Sequence, residues 1–107
     1  TGQEVETAVR NDAPVTIIVL RNGMYGTIAM HQLRGFGRTA GTDIGDVDVA
    51  AYAASLGARS FTVRERSALE STIRDAVSTG YPTVVDVLVD RDVLTPSATL
   101  TSLRDAR

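Results

Sequence analysis

The sequence predicts an α/β fold built on a three-layer open parallel sheet. Helix-like and strand-like segments alternate along the chain, and that alternation gives parallel strands joined by crossovers. Val15–Leu20 is a continuous β-rich apolar run, the mark of a strand buried on both faces. The chain opens on a helical pattern that no strand precedes, so it reads as the back part of a larger sheet.

The elements follow in order. Gln3–Arg10 places Val5, Ala8 and Val9 at i, i+3 and i+4, which predicts a short amphipathic helix. Asn11-Asp12-Ala13-Pro14 ends it, and Val15–Leu20 is the first strand. Asn22-Gly23 and Gly26 interrupt the chain before a helix expected from Thr27 to about Leu33. Arg34–Val47 carries Gly35, Gly37, Gly41 and Gly45 and is expected to be a loop near the upper end of ordinary lengths, ~12–15 residues. Asp46 is the expected N-cap of the next helix, where Val49, Tyr52, Ala53 and Leu56 share a face and Gly57 closes it. Ser60–Val63 is a short strand. Ser67 and Glu70 have capping-box spacing ahead of a stripe formed by Leu69, Ile73, Ala76 and Val77. Gly80 and Pro82 punctuate its end, Thr83–Val89 is the last strand, and Asp90–Arg107 is a polar tail with room for a short helix.

Composition excludes several classes of function. At ~150 residues per domain, 107 residues allow one domain. Hydrophobic residues at 43% and a net charge of −2 exclude disorder, and the charge excludes the basic field of a nucleic-acid binder. With no Cys there is no disulfide framework, thiolate zinc site or cysteine nucleophile. His31 is the only His, so a histidine-rich metal site is excluded. Apolar runs such as Ile17–Leu20 fall far short of the ~20 residues of a membrane span, so no membrane is expected as a partner. No signal-peptide pattern opens the chain, and a cytoplasmic location is the expectation. Every basic residue is Arg; the codon usage of a GC-rich genome accounts for this better than a bidentate anion site does.

Open α/β sheets bind ligands at the carboxyl ends of their strands. The carboxyl end of Val15–Leu20 runs into Arg21-Asn22-Gly23-Met24-Tyr25-Gly26-Thr27. Asn22 offers a neutral oxygen suited to a hard cation such as Mg²⁺. Gly23 permits a sharp turn that can point the Met24 carbonyl at the same ion. Gly26 opens a helix whose free N–H groups can meet a phosphate. Metal-bridged diphosphate binding needs these parts together, but an Asn-Gly turn without a ligand uses the same letters. On the residues alone, both readings stand.

The stretch Val15–Gln32, VTIIVLRNGMYGTIAMHQ, resembles the thiamine-diphosphate-dependent enzymes of the acetolactate synthase type. In that family a Gly-Asp-Gly motif is followed by a strand ending in Asn-Asn, then by a Tyr-Gly pair and a helix. Asn22 matches the second Asn, and Arg21 stands where the first usually is. Gly2-Gln3-Glu4 with Thr7-Ala8-Val9 resembles the helix between the half-motifs. Gly41-Thr42-Asp43 and the Asp48 helix resemble the next segment, and Thr83–Asp90 with Thr95-Pro96 resembles the last strand and its exit.

The resemblance implies a partial thiamine-diphosphate-binding fold. Residues 1–90 would be the C-terminal portion of the diphosphate-binding domain, and 91–107 a C-terminal tail. It implies Mg²⁺ ligation by the Asn22 side chain and the Met24 carbonyl. Gly23, Tyr25, Gly26 and Thr27 would bind the diphosphate, and Ile28 would face the thiazolium and substrate. The loop Arg34–Val47 would lie near the active-site mouth. The implied reaction is decarboxylation of a 2-oxo acid such as pyruvate, with or without carboligation. Acetolactate synthase-like chemistry comes first, and a simple decarboxylase of the benzoylformate type second.

The departures limit what this chain is expected to do. Gly-Asp-Gly is missing, and with it the anionic metal ligand. The catalytic Glu belongs to a separate pyrimidine-binding domain in the family. Arg21 is expected to face solvent, away from the metal. The chain is therefore expected to be inactive alone, and to form a homo-oligomer or pack against other segments through its apolar faces. The rival reading is a small α/β interaction module that dimerises and binds no cofactor. His31 fits a helix-surface or core role better than that of a general base. Asp86 fits an edge position or an Arg partner better than catalysis. Asp43, Asp46 and Asp48 lack the Glu of an EF-hand. Arg34 and Arg38 leave two readings open, an anionic substrate or a solvated loop.

Overall fold

The structure, a computed structural model, describes residues 2–106. It divides into two compact units. The first joins the segment through Arg21 to Asp48–Leu88; the second joins Asn22–Val47 to the segment from Val89 onward.

The first unit holds helix α1 (Glu4–Arg10), strand β1 (Thr16–Arg21), helix α3 (Val49–Ser55), strand β2 (Arg59–Val63), a one-turn 3₁₀ helix (Arg66–Ala68), helix α4 (Leu69–Ser78) and strand β3 (Thr83–Leu88). The strands form a parallel sheet in the order β1-β3-β2. Val84 on one face of β3 packs with Val5, Ala53 and Ala58, so α1 and α3 cover that side. Val85 and Val87 on the other face pack with Val63, Ala76 and Leu69, so α4 covers the opposite side. Period-two alternation along β3 thus feeds two cores and makes the expected three layers.

Burial on both faces belongs to β3, not to Val15–Leu20. Thr83–Val87 are all buried, whereas Ile18 is 46% and Leu20 69% exposed. The two runs have similar β-branched content; β3 lies between two strands, while β1 is at the edge of this sheet. Asp86 accordingly lies in the central strand rather than at an edge. Its partner is Arg21, whose Nε and Nη2 donate to the two carboxylate oxygens at 3.1 and 3.0 Å. The expectation that Arg21 faces solvent is corrected: its side chain is only 16% exposed, because the buried carboxylate needs a counter-charge.

Other local expectations shift. Asp48, not Asp46, caps α3 by accepting from the Ala51 N–H at 2.8 Å. Ser67 and Glu70 do not form a capping box, because the 3₁₀ turn takes the residues before α4; Glu70 instead accepts from Arg74 one turn on. Val77 remains exposed. Gly57 follows α3 at φ 91°, as a helix-closing glycine should. Between α4 and β3, the Thr79 hydroxyl donates to the Ala76 carbonyl and bonds the Thr83 hydroxyl, satisfying polar groups of a part-buried turn.

The second unit holds helix α2 (Gly26–Phe36), strands β4 (Val93–Thr95) and β5 (Ala98–Thr99), and helix α5 (Leu100–Asp105). Helix α2 runs past Leu33 and ends where Gly37 turns left-handed at φ 69°. Arg34 is therefore helical, and the loop starts later than expected. The polar tail is ordered: β4 and β5 pair antiparallel, and Thr99 caps α5 in a capping box with Ser102. Leu94, Leu100 and Leu103 pack with Met24, Ala29 and Leu33, which supplies the core that the charged letters of the tail conceal. Among the described residues no helix is long and apolar enough to cross a membrane.

Candidate functional site

Strand β1 ends at Arg21, and Asn22 begins a turn whose shape its own side chain sets. Asn22 Oδ1 accepts from the Met24 N–H at 3.2 Å, a local bond typical of Asx turns. Gly23 takes φ 70°, a region that favours glycine. Met24 then pairs with Asp43 in an isolated antiparallel bridge. The bonds of that bridge run through neighbours: Tyr25 N–H donates to the Thr42 carbonyl at 2.8 Å, and Ile44 N–H donates to the Gly23 carbonyl at 2.9 Å. The Met24 carbonyl is uncommitted to that ladder.

Helix α2 starts at Gly26 with no side-chain cap and no acidic residue in its first turn. Its leading N–H groups have no partner within the helix and form a patch of partial positive charge. A Cβ on Gly26 would lie 3.2 Å from Asn22 Nδ2 and 3.7 Å from Leu94 Cδ2, so only glycine leaves the Asn22 carboxamide where it stands. Asn22, Gly26 and Thr27 line one side of a pocket of about 220 Å³; Leu94 and Thr95 of β4 line another.

Of the residues singled out in the sequence, Asn22, Gly26 and Thr27 therefore share a pocket. Gly23 shapes the turn through its backbone. Met24 sends its side chain into the core of the second unit, leaving its carbonyl as the group of interest. Tyr25 and Ile28 are exposed and do not line this pocket. His31 is exposed on α2. Asp43 pairs with Arg91, and Asp48 is spent as a cap. Sequence reasoning missed two parts of the surroundings, the Thr42–Ile44 segment that holds the turn and the Leu94–Thr95 wall. Gly41-Thr42-Asp43 and Thr95-Pro96 stood out only as family likenesses, and no spacing rule links either part to Asn22.

Among the described residues no group of His, Cys, Asp or Glu could by itself hold a metal ion. The local oxygen donors are neutral, namely a carboxamide and a main-chain carbonyl. An open parallel α/β sheet with a strand-end turn leading into an uncapped helix start has the layout of an anion-binding α/β domain.

Comparison with known proteins makes that class specific. Residues 1–87 match the family described as thiamine pyrophosphate enzyme, C-terminal TPP binding domain. The chain belongs to this family. It is 36% identical over 90 residues to an acetolactate synthase of Bacillus subtilis (strain 168), covering 84% of this chain and 16% of that protein. Identity and coverage are the same for a catabolic acetolactate synthase of Raoultella terrigena. The structure of benzoylformate decarboxylase from Polynucleobacter necessarius superposes with a TM-score of 0.78 at 25% identity, over 89% of this chain and 18% of that one. The chain thus spans about 16% of the length of the curated relatives it matches. The family match favours the enzyme reading over the interaction module.

Proposed function

We propose that these residues form part of a thiamine-diphosphate- and Mg²⁺-dependent enzyme of the acetolactate synthase type, acting on a 2-oxo acid such as pyruvate. The observation that carries this is the Asn22–Thr27 turn, where a carboxamide oxygen, an uncommitted carbonyl and an uncapped helix start lie in successive residues. A benzoylformate-type decarboxylase is the alternative within the class, supported by the structural likeness.

The residues present fit the diphosphate. The start of α2 carries no acid to repel an anion, Gly26 leaves room above the first turn, and the Thr27 hydroxyl lines the same pocket. They fit Mg²⁺ in part. Asn22 Oδ1 spends one lone pair on the Met24 N–H and keeps the other. Mg²⁺ takes oxygen ligands near ~2.0–2.1 Å and dehydrates reluctantly, so two neutral oxygens hold it weakly without anionic partners. The diphosphate supplies some of that charge. We assign the rest to a carboxylate elsewhere in the protein, consistent with the small share of its relatives that the chain spans.

In this reading Asn22 and the Met24 carbonyl hold the metal, Gly23 shapes the turn, and Tyr25, Gly26 and Thr27 bind the diphosphate. Ile28 faces the thiazolium and the substrate. Thiamine diphosphate, held there, would supply a nucleophilic carbon and an electron-accepting ring. The protein groups bind, orient and exclude water; none of those named here moves a proton. Residues 1–90 are the C-terminal portion of the binding domain, 91–107 its tail, and the 107 residues alone are inactive. A homo-oligomer, or other segments of the same protein, covers the exposed face of β1, and the location is the cytoplasm. The test is Mg²⁺-dependent binding of thiamine diphosphate to the protein in its full natural length, with Asn22→Ala as the control.

A further inference from the structure

The Asn22 side-chain bond sets the local shape of the Asn22–Gly26 turn, and the Ala29 N–H, donating to the Tyr25 carbonyl at 2.9 Å, ties its end to α2. Its other main-chain hydrogen bonds lead to Thr42 and Ile44, in the loop that follows α2. The position of the turn therefore depends on the position of that loop. The loop is tied back to α2 at one residue. Gln32 Nε2 donates to the Ala40 carbonyl at 3.1 Å, and the Ala40 N–H donates to Gln32 Oε1 at 2.8 Å. Both ends of the carboxamide engage the main chain of one residue, its N–H and its C=O, as a neighbouring strand would, so Ala40 is fixed in orientation as well as distance. Two residues further on, Thr42 reaches Tyr25. Gly37 and Gly41, both left-handed, bracket the clasped residue and give the segment no stiffness of their own.

We propose that Gln32 is a positioning residue for the Asn22–Gly26 turn, acting through the loop it clasps. The path runs from Gln32 to Ala40, through the main chain to Thr42–Ile44, and across the bridge to Gly23 and Tyr25. The proposal rests on the cofactor reading of the turn. Gln32 touches neither metal nor cofactor in this account. It sets how often the Asn22 oxygen and the helix start are presented together, and the apparent affinity follows that fraction.

The experiment uses the protein in its full natural length with Gln32→Met, which keeps length and helix propensity but removes both bonds, and Gln32→Glu, which keeps the oxygen that accepts from Ala40 and loses the donor. Amide hydrogen exchange is read at Tyr25 and Ile44, with Val85 and Val87 of β3 as internal references. The Kd of thiamine diphosphate in Mg²⁺ is measured on the same samples. Gln32→Met is expected to speed exchange at Tyr25 and Ile44 about tenfold, leave Val85 and Val87 unchanged, and raise Kd about tenfold, with Gln32→Glu between. Unchanged protection at Tyr25 and Ile44 overturns the proposal, as does lost protection with an unchanged Kd. Should Gln32→Met also expose Val85 and Val87, the same two criteria are applied to Gln32→Glu. Failure of the unsubstituted protein to bind thiamine diphosphate refutes the cofactor reading, and with it the positioning role; the exchange data then speak only to the clasp.

Discussion

Arg21 closes strand β1 and makes a side-on, two-point ion pair with Asp86 in the central strand, 65 residues later. Asp86 is 1% exposed, so the pair is buried on its acidic side. Removing one partner of such a pair strands a charge. Asp86→Ala is expected to cost about 3–5 kcal/mol in urea unfolding. Arg21→Met combined with Asp86→Leu should recover most of that loss, since apolar replacement of a buried pair is often neutral. A single-substitution cost below about 1 kcal/mol would contradict the assignment, because that is the range of an exposed pair.

The same pair shows what could be read from the letters. Asp86 within TVVDVL left two readings open, an edge position or an Arg partner, because a carboxylate in an apolar strand must be solvated or neutralised; the central place of β3 rules out the first. Which Arg it was could not be read, since β1 and β3 meet only in the sheet. The three strands of the parallel sheet were legible from their β-branched runs, and the Asn22–Thr27 turn from Asn-Gly after a strand; the short β4 and β5 in the tail were not. Nor were the places of the three strands in the sheet. Whether Val15–Leu20 or Thr83–Val89 lies in the middle depends on chain topology, and both runs look alike in sequence. The Thr42–Ile44 and Leu94 contacts to the turn are tertiary for the same reason, and the tail hid its core leucines among charges.

Strand β1 leaves Ile18 and Leu20 exposed at the edge of the sheet. Such an edge recruits partners. The 107-residue chain, 11.4 kDa, is expected to sediment as a species larger than a monomer at high concentration. Ile18→Lys with Leu20→Lys should shift it toward monomer, because charge blunts an edge. A compact monomer at every concentration would refute this expectation.

Gly26 offers a substitution that separates binding from folding. Ala is a good residue for a first helical turn, so Gly26→Ala should change stability by no more than about 1 kcal/mol. Its Cβ would press on the Asn22 carboxamide at 3.2 Å and crowd the pocket. Thiamine diphosphate affinity in the full-length protein is expected to fall about tenfold, equal to about 1.4 kcal/mol. Thermal melts and titration calorimetry on one sample measure both. Equal affinity would show that the pocket at Gly26 does not receive the diphosphate.

The central claim is that Asn22 presents its oxygen to a metal-bridged diphosphate. The direct measurement is titration of thiamine diphosphate, in the presence of Mg²⁺, into the protein in its full natural length and into the isolated 107 residues, each with and without Asn22→Ala. The full-length protein should bind, and Asn22→Ala should weaken that binding tenfold or more, about 1.4 kcal/mol. The isolated residues should bind little or not at all, for want of an anionic metal ligand. Unchanged affinity in full-length Asn22→Ala, with the fold intact, would remove Asn22 from the site and contradict the account.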